Sequence, residues 1–365
     1  MSDGVESRIN DLLGEAVGQG ASDVHFTVGL PPHVRIGGKW CPLGGGRLGR
    51  TDCAALARAF VADEAAWEHF QAEKEFDTSY SVPGVGRFRV NLFLQRGSPG
   101  IACRVLPFEI PHFEDLGLPE TMMRELCMLS SGLVLVCGPT GSGKSTTLAA
   151  MVGHINRTRP SHIVTMEDPI EFMHQHQMSI VDQREVGLDT RSFLNAMRHV
   201  LRQSPDVVLV GEIRDQETVR TAIMLAETGH LVLSTIHSAE VVQGLSRLTD
   251  IFPPEQQEEV KVSLAAVLKA MLVQQLVPRR NHPGERVLAY EAMVISPAIQ
   301  NQIRTGKYEQ VYSQLQTRHE GGVRTMNDSL LELYRHGEIE ADDACAKSPR
   351  PVDIQRAIGG GNGRG

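Results

Sequence analysis

The chain opens with apolar residues at helical spacing. Over residues 5–18, Val5, Ile9, Leu12, Leu13 and Ala16 share one face, which predicts an amphipathic helix. The period then shortens to two. Residues 23–28 alternate as a strand until Pro31-Pro32, and His33 to Ile36 form another that ends at Gly37-Gly38. Gly44-Gly45-Gly46 reads as a loop. Residues 52–71 read as a helix, with Ala54, Leu56, Phe60 and Trp67 among the apolar positions. Alternation is sustained over residues 75–106, through Phe76, Tyr80 and Val82, then Phe88, Val90, Leu92 and Leu94, then Ile101, Cys103 and Val105. Pro83-Gly84 and Gly97-Ser98-Pro99-Gly100 separate these runs, so the segment is an antiparallel meander. Residues 1–106 thus predict a small α+β domain. Residues 107–118 have prolines and no periodicity, and read as a linker.

The pattern then changes. Leu133 to Cys137, Ile163 to Met166, Val207 to Val210 and Leu231 to Ser234 are continuous apolar runs. Strands without alternation are buried on both faces, as in a parallel sheet flanked by helices. Helical stretches at 144–157, 190–203, 215–228 and 239–249 intervene, which predicts an α/β domain over residues 119–345. Residues 255–276 and 325–336 are expected as further helices. Residues 346–365 end in a glycine-rich run and are expected to be a disordered tail.

Composition narrows the function classes. The 365 residues fit about two domains, and 41% hydrophobic with 22% charged residues fits a globular chain. A formal net charge of −8 argues against a nucleic-acid partner. The six cysteines have no C-x-x-C pair, which argues against structural zinc. The N-terminus carries Asp3 and Glu6 without an apolar core, so it is not a signal peptide, and no run approaches a membrane span. The expectation is a cytoplasmic protein with no direct membrane insertion.

The chemistry is concentrated in the second half. Gly138, Pro139, Thr140, Gly141, Ser142, Gly143, Lys144 and Ser145 match G-x-x-x-x-G-K-[ST], between an apolar strand and a helix. In such a loop the glycines turn backbone N–H groups toward phosphate oxygens. Lys144 is expected to reach the β and γ phosphates of ATP, and the Ser145 hydroxyl to meet Mg²⁺. A chance glycine-rich turn is the plain alternative. Glu212 stands at the end of an apolar strand, where α/β sites lie, placed to polarise the attacking water or to act through Mg²⁺. Its alternative is a salt bridge with Arg214. Glu167 and Asp168 also close a strand and suit Mg²⁺ or its waters, the alternative being a turn before Pro169. His237 stands where a γ-phosphate sensor would, although a lone histidine is more often structural. Arg87 and Arg89 share a face of the meander opposite Phe88 and Val90, and Arg104 follows on the next strand. An arginine on a sheet face is usually solvated. A phosphate-loop site nevertheless often takes a guanidinium from elsewhere.

Longer motifs carry a resemblance. Leu201-Arg202 with Pro205-Asp206 and Gly211-Glu212-Ile213-Arg214-Asp215 resembles the signature of the secretion-superfamily ATPases, and within them the type IV pilus retraction branch. Ser22-Asp23-Val24-His25, Gly86 to Asn91, Glu167 to Glu171, Gln183 to Gly187, Glu227 to His230, Asp250 to Pro253 and Gln274 to Arg279 agree with it. The resemblance implies an N-terminal PAS-like domain and a C-terminal RecA-like P-loop ATPase domain in a homohexamer. It implies Glu212 as general base, Glu167 near the metal and His237 near the γ-phosphate. Arg89 and Arg104 would complete the site. Thr146 and His230 join the phosphate loop as nucleotide-binding residues. The implied activity is ATP hydrolysis with Mg²⁺, held by Ser145, Glu167 and Glu212 directly or through water. The implied task is pilus retraction at the inner face of the cytoplasmic membrane, with a platform protein and a second retraction ATPase as partners. The family's Ala-Ile-Arg-Asn-Leu-Ile-Arg stretch reads Ala298 to Arg304 here, with Gln300 and Gln302 in place of an arginine and a leucine. The assembly branch usually has a four-cysteine zinc site, which this sequence lacks.

Overall fold

The structure is a computed structural model that describes residues 2–61, 63–106, 109–282, 284–317 and 320–359. The chain divides into two compact units, Met1–Glu109 with Glu171–Met173, and Ile110–Ile170 with His174–Gly365.

In the first unit, α1 (Ser2–Gly18) leads into β1 (Asp23–Phe26), β2 (His33–Ile36) and β3 (Lys39–Pro42). Then follow α2 (Arg50–Ala59), α3 (Glu64–Glu73), β4 (Glu75–Val82), β5 (Gly86–Gln95) and β6 (Ser98–Leu106). The strands pair antiparallel in the order β3-β2-β1-β6-β5-β4. Ile9, Leu13 and Ala16 of α1 and Leu56 of α2 join Phe26, Phe88, Val90 and Ile101 in one core. The alternation therefore leaves Arg89 and Arg104 on the other face of the sheet. The helix expected over residues 52–71 is two helices. The Asp63 carboxylate accepts the Ala66 N–H at 2.8 Å and starts α3 afresh.

The second unit runs α4 (Glu120–Cys127), β7 (Gly132–Cys137), α5 (Lys144–Thr158), β8 (His162–Glu167), β9 (Ile180–Glu185), α6 (Phe193–Val200), β10 (Val207–Val210), α7 (Gln216–Glu227) and β11 (Leu231–Ile236). It continues with α8 (Val241–Asp250), α9 (Pro254–Val267), β12 (Leu268–Pro278), β13 (Arg286–Val294), α10 (Pro297–Arg304), α11 (Tyr308–Thr317), α12 (Met326–Arg335), α13 (Ala341–Lys347) and α14 (Pro351–Gly359). The sheet order is β13-β12-β7-β11-β10-β8-β9, with only the β12–β13 pair antiparallel among the described residues. Two apolar clusters, one on each face, bury the strands completely, which is why their sequences do not alternate.

Two expectations fail here. The helix expected over residues 255–276 stops at Val267, where Leu268 turns extended and pairs with Leu133. A short apolar run fits a buried helix or a buried strand equally, and the sheet hydrogen bonds decide it. Residues 351–359 of the expected disordered tail form α14, anchored by the buried Ile354. Residues 360–365 lie outside the described residues. No described helix is long and apolar enough to cross a membrane.

Candidate functional site

Four neighbouring parallel strands end along one edge of the second sheet, and each ends on a residue singled out above. The phosphate loop follows β7, His237 follows β11, Glu212 lies just beyond β10, and Glu167 closes β8. Adjacent strands lie about 4.8 Å apart, so the row spans roughly 14 Å, a length that suits a triphosphate and an attacking water. Ligands of open α/β sheets sit at this edge.

The loop is shaped for an anion. Gly141 and Gly143 take φ of 76° and 92°, the left-handed region that favours glycine. At Gly138, with φ 145°, a Cβ would lie 2.5 Å from the Gln274 carbonyl oxygen, so no other residue fits. Gly143 caps α5 without a side-chain hydrogen bond, leaving the first amides of that helix open to an anion. The buried Ser142 Oγ has no partner among the described residues, and a phosphate oxygen would satisfy it. Lys144 Nζ donates to the carbonyls of Gly138 at 2.9 Å and Pro139 at 3.0 Å, so the ammonium already lies over the loop. Ser145 is exposed at the helix start, Thr146 is half-buried, and Pro139 and Thr140 are exposed. The next residue, Thr147, faces inward and accepts from Gln274 Nε2 at 2.9 Å, fixing α5 to β12.

The acidic residues are fixed by neighbours. Glu167 Oε1 accepts from Thr165 Oγ1 at 2.7 Å and from Gln183 Nε2 at 3.2 Å. Glu212 is paired on both oxygens, with Arg214 at 2.6 Å and with His237 Nε2 at 3.1 Å. The salt bridge considered for Glu212 therefore exists, and it coexists with the histidine contact. Hydrogen bonding to Glu212 pushes the Arg214 guanidinium up from its ordinary value. Between the strand ends, Gly211 N–H donates to the Met166 carbonyl at 2.8 Å, Ile213 N–H to the Thr235 carbonyl at 3.0 Å, and Thr235 Oγ1 to the Gly211 carbonyl at 2.7 Å. These bonds lock the backbone beside Glu212 and His237 before any ligand arrives.

His230 is not brought to this edge. It precedes β11 instead of following it, about 23 Å of extended chain from His237, and its Nδ1 lies 2.9 Å from the Leu225 carbonyl oxygen. Arg89 and Arg104 belong to the first unit, where they face each other across β5 and β6. Arg104 Nε reaches Asp23 at 3.1 Å, whereas the exposed Arg89 makes no ion pair among the described residues. Sequence reasoning missed Arg247, which donates to the His237 carbonyl at 2.8 Å, and Gln183, which orients Glu167. Arg247 has no signal in the sequence, and Gln183 stands in a family stretch that does not name its partner, since the partners meet only once the sheet forms. The described residues hold no cluster of three acidic, histidine or cysteine side chains fit to bind a metal unaided.

Residues 87–341 match the family model for the type II/IV secretion system proteins. The chain belongs to this family. It is 42% identical to the type IV pilus retraction ATPase PilT of Pseudomonas aeruginosa over 346 residues, covering 95% of this chain and 99% of that protein. It is 39% identical to the type IV pilus ATPase PilU of the same organism, covering 95% and 90% respectively. A crystal structure of the pilus retraction motor PilT with bound ADP superposes with a TM-score of 0.88 at 46% identity, covering 95% of this chain and 99% of that one. The ATPase DotB of Legionella pneumophila superposes at 0.72 with 26% identity, covering 93% and 94%. The fold is thus an N-terminal PAS-like α+β domain joined to a C-terminal RecA-like P-loop ATPase domain, and the resemblance read from the sequence is borne out.

Proposed function

We propose that this chain is the ATP-hydrolysing motor of type IV pilus retraction, a cytoplasmic homohexamer at the inner face of the membrane that draws on a platform protein. The observation that carries the reading is the row of phosphate loop, His237, Glu212 and Glu167 along one strand edge, in a chain this similar to a retraction ATPase.

The residues have distinct tasks. The loop amides and Lys144 hold the β and γ phosphates, with Thr146 beside them. Glu212 orients the attacking water and takes its proton, and His237, 3.1 Å away, holds that carboxylate in place and reads the γ-phosphate. Phosphoryl transfer needs mainly positioning and charge stabilisation, which this locked edge supplies. Mg²⁺ fits Ser145 together with the phosphates, with Glu167 and Glu212 reaching it directly or through its waters, and it would neutralise phosphate charge. Arg89 and Arg104 approach the nucleotide of a neighbouring subunit, so that loss of the γ-phosphate releases one subunit from the next. Among the described residues Arg89 has no ion pair to give up, which suits that role.

A second reading is an accessory retraction ATPase, favoured by the 39% identity to PilU over nearly the whole chain. Deleting the gene and imaging surface pili separates the readings. A retraction motor leaves excess pili and abolishes twitching, and an accessory one leaves twitching weakened under load. Absence of pili would overturn both.

A further inference from the structure

Glu291 is a buried acid that the proposed chemistry does not use. It lies on β13 opposite Val273 of β12, and it is wholly inaccessible to solvent. Both of its carboxylate oxygens accept from backbone. Val241 N–H donates to Oε1 at 2.6 Å and Met326 N–H to Oε2 at 3.1 Å. These donors are the first residues of α8 and α12, whose amides lack partners inside their own helices. One carboxylate therefore receives two helix starts, each with partial positive charge.

The two starts are not equivalent. Thr325 and Asp328 form a capping box that secures α12 without help. At α8 the N-cap residue Glu240 makes no side-chain cap, and its Oε2 is buried without a partner among the described residues. Glu291 thus supplies the cap that α8 lacks.

What α8 carries gives this weight. Only Ser238, Ala239 and Glu240 separate His237 from the helix. The helix grips that segment at both ends. Arg247 donates to the His237 carbonyl at 2.8 Å, and Gln243 Oε1 accepts from Ser238 Oγ and from Ala239 N–H, each at 3.2 Å. The path from Glu291 to His237 is a chain of hydrogen bonds through one short helix. On its other side Glu291 meets α12, and Arg324 just before that helix exchanges backbone hydrogen bonds with Ala292 in both directions. Burial pushes the Glu291 carboxyl up to about 7 while its two amide partners pull it down, as expected for an acid kept inside for its contacts.

We infer that Glu291 is a positioning residue for His237, fixing α8 so that the imidazole meets Glu212, and that it links His237 to the C-terminal helices through α12. This rests on the ATPase reading above. The test is a double-mutant cycle on ATP turnover by the full-length protein, with KM for ATP measured alongside. Glu291→Gln turns one accepting oxygen into a donor that faces an amide, and is expected to lower kcat about 10-fold with KM within about 2-fold. In a His237→Ala background the same change is expected to cost less than about 2-fold, because the two act as one unit. Equal losses in both backgrounds, or no loss in the first, would overturn the inference. Arg247→Met cuts the same path at an exposed residue and is expected to show the same non-additivity, which keeps the test available should Glu291→Gln fold poorly. An inactive starting protein would instead defeat the ATPase reading itself.

Discussion

The two units handle charge in opposite ways. At the strand edge of the second unit Glu212 and Glu167 are already committed, Glu212 to Arg214 and His237, and Glu167 to Thr165 and Gln183. On the open face of the first sheet, pairing register puts Arg35, Asp23, Arg104 and Arg89 in one row across β2, β1, β6 and β5. That is one carboxylate for three guanidiniums. Like charges set opposite each other across strands destabilise a sheet, so a row of this kind makes sense where an anion from elsewhere completes it. The first region is a finished frame and the second is an unfinished one. The proposed motor needs both, because a site complete within one subunit could not report to the next.

Several substitutions would break or sharpen that contrast. The largest effect belongs to the loop. Lys144→Ala is expected to weaken ATP binding and cut turnover by at least about 1000-fold, since its proposed place is against the phosphates. Binding of a fluorescent ATP analogue measures this. Arg89→Ala is expected to lower kcat about 100-fold with ATP binding nearly unchanged, and Arg104→Ala to cost less, because Asp23 already engages Arg104. If Arg104 proves the costlier of the two, the unfinished row is the wrong description. Gln183→Ala loosens Glu167 without removing it and is expected to cost about 3-fold in kcat.

The smallest effect is on pH dependence of stability. The folded-state pKa of Glu291 lies above its unfolded value, so its stabilising contribution is complete at pH below about 4.5 and is lost as pH rises to about 7. Glu240 raises that carboxyl and Arg350 lowers it. Denaturant midpoints from pH 5 to pH 8 should therefore fall less steeply in Glu291→Gln than in the wild type.

How far sequence reached also differs between the regions. Strands β7, β8, β10 and β11 of the second sheet were legible because burial on both faces leaves unbroken apolar runs, whereas β9, with its alternating and polar positions, and β13 were not read. The loop was legible because glycine spacing states its own geometry. The boundary between α9 and β12 was not. Ala265 to Val273 is apolar apart from Lys269, and only pairing with β7 tells strand from helix. The face on which Arg89 lies followed from alternation. Its lack of an ion pair among the described residues did not, because Asp23 is 66 residues away in sequence and its choice of Arg104 is a matter of register. The contact between Glu212 and His237 joins residues just past the ends of adjacent strands, and no spacing rule predicts it. His230 shows the converse limit, since two histidines of one motif lie at opposite ends of the same strand.

The central claim is that Glu212 performs chemistry at a site that binds ATP without it. Glu212→Gln tests this most directly, with ATP affinity and steady-state hydrolysis measured on the same full-length preparation. The account predicts affinity within about 3-fold of wild type and turnover reduced by about 1000-fold or more. Hydrolysis within about 10-fold of wild type would contradict it.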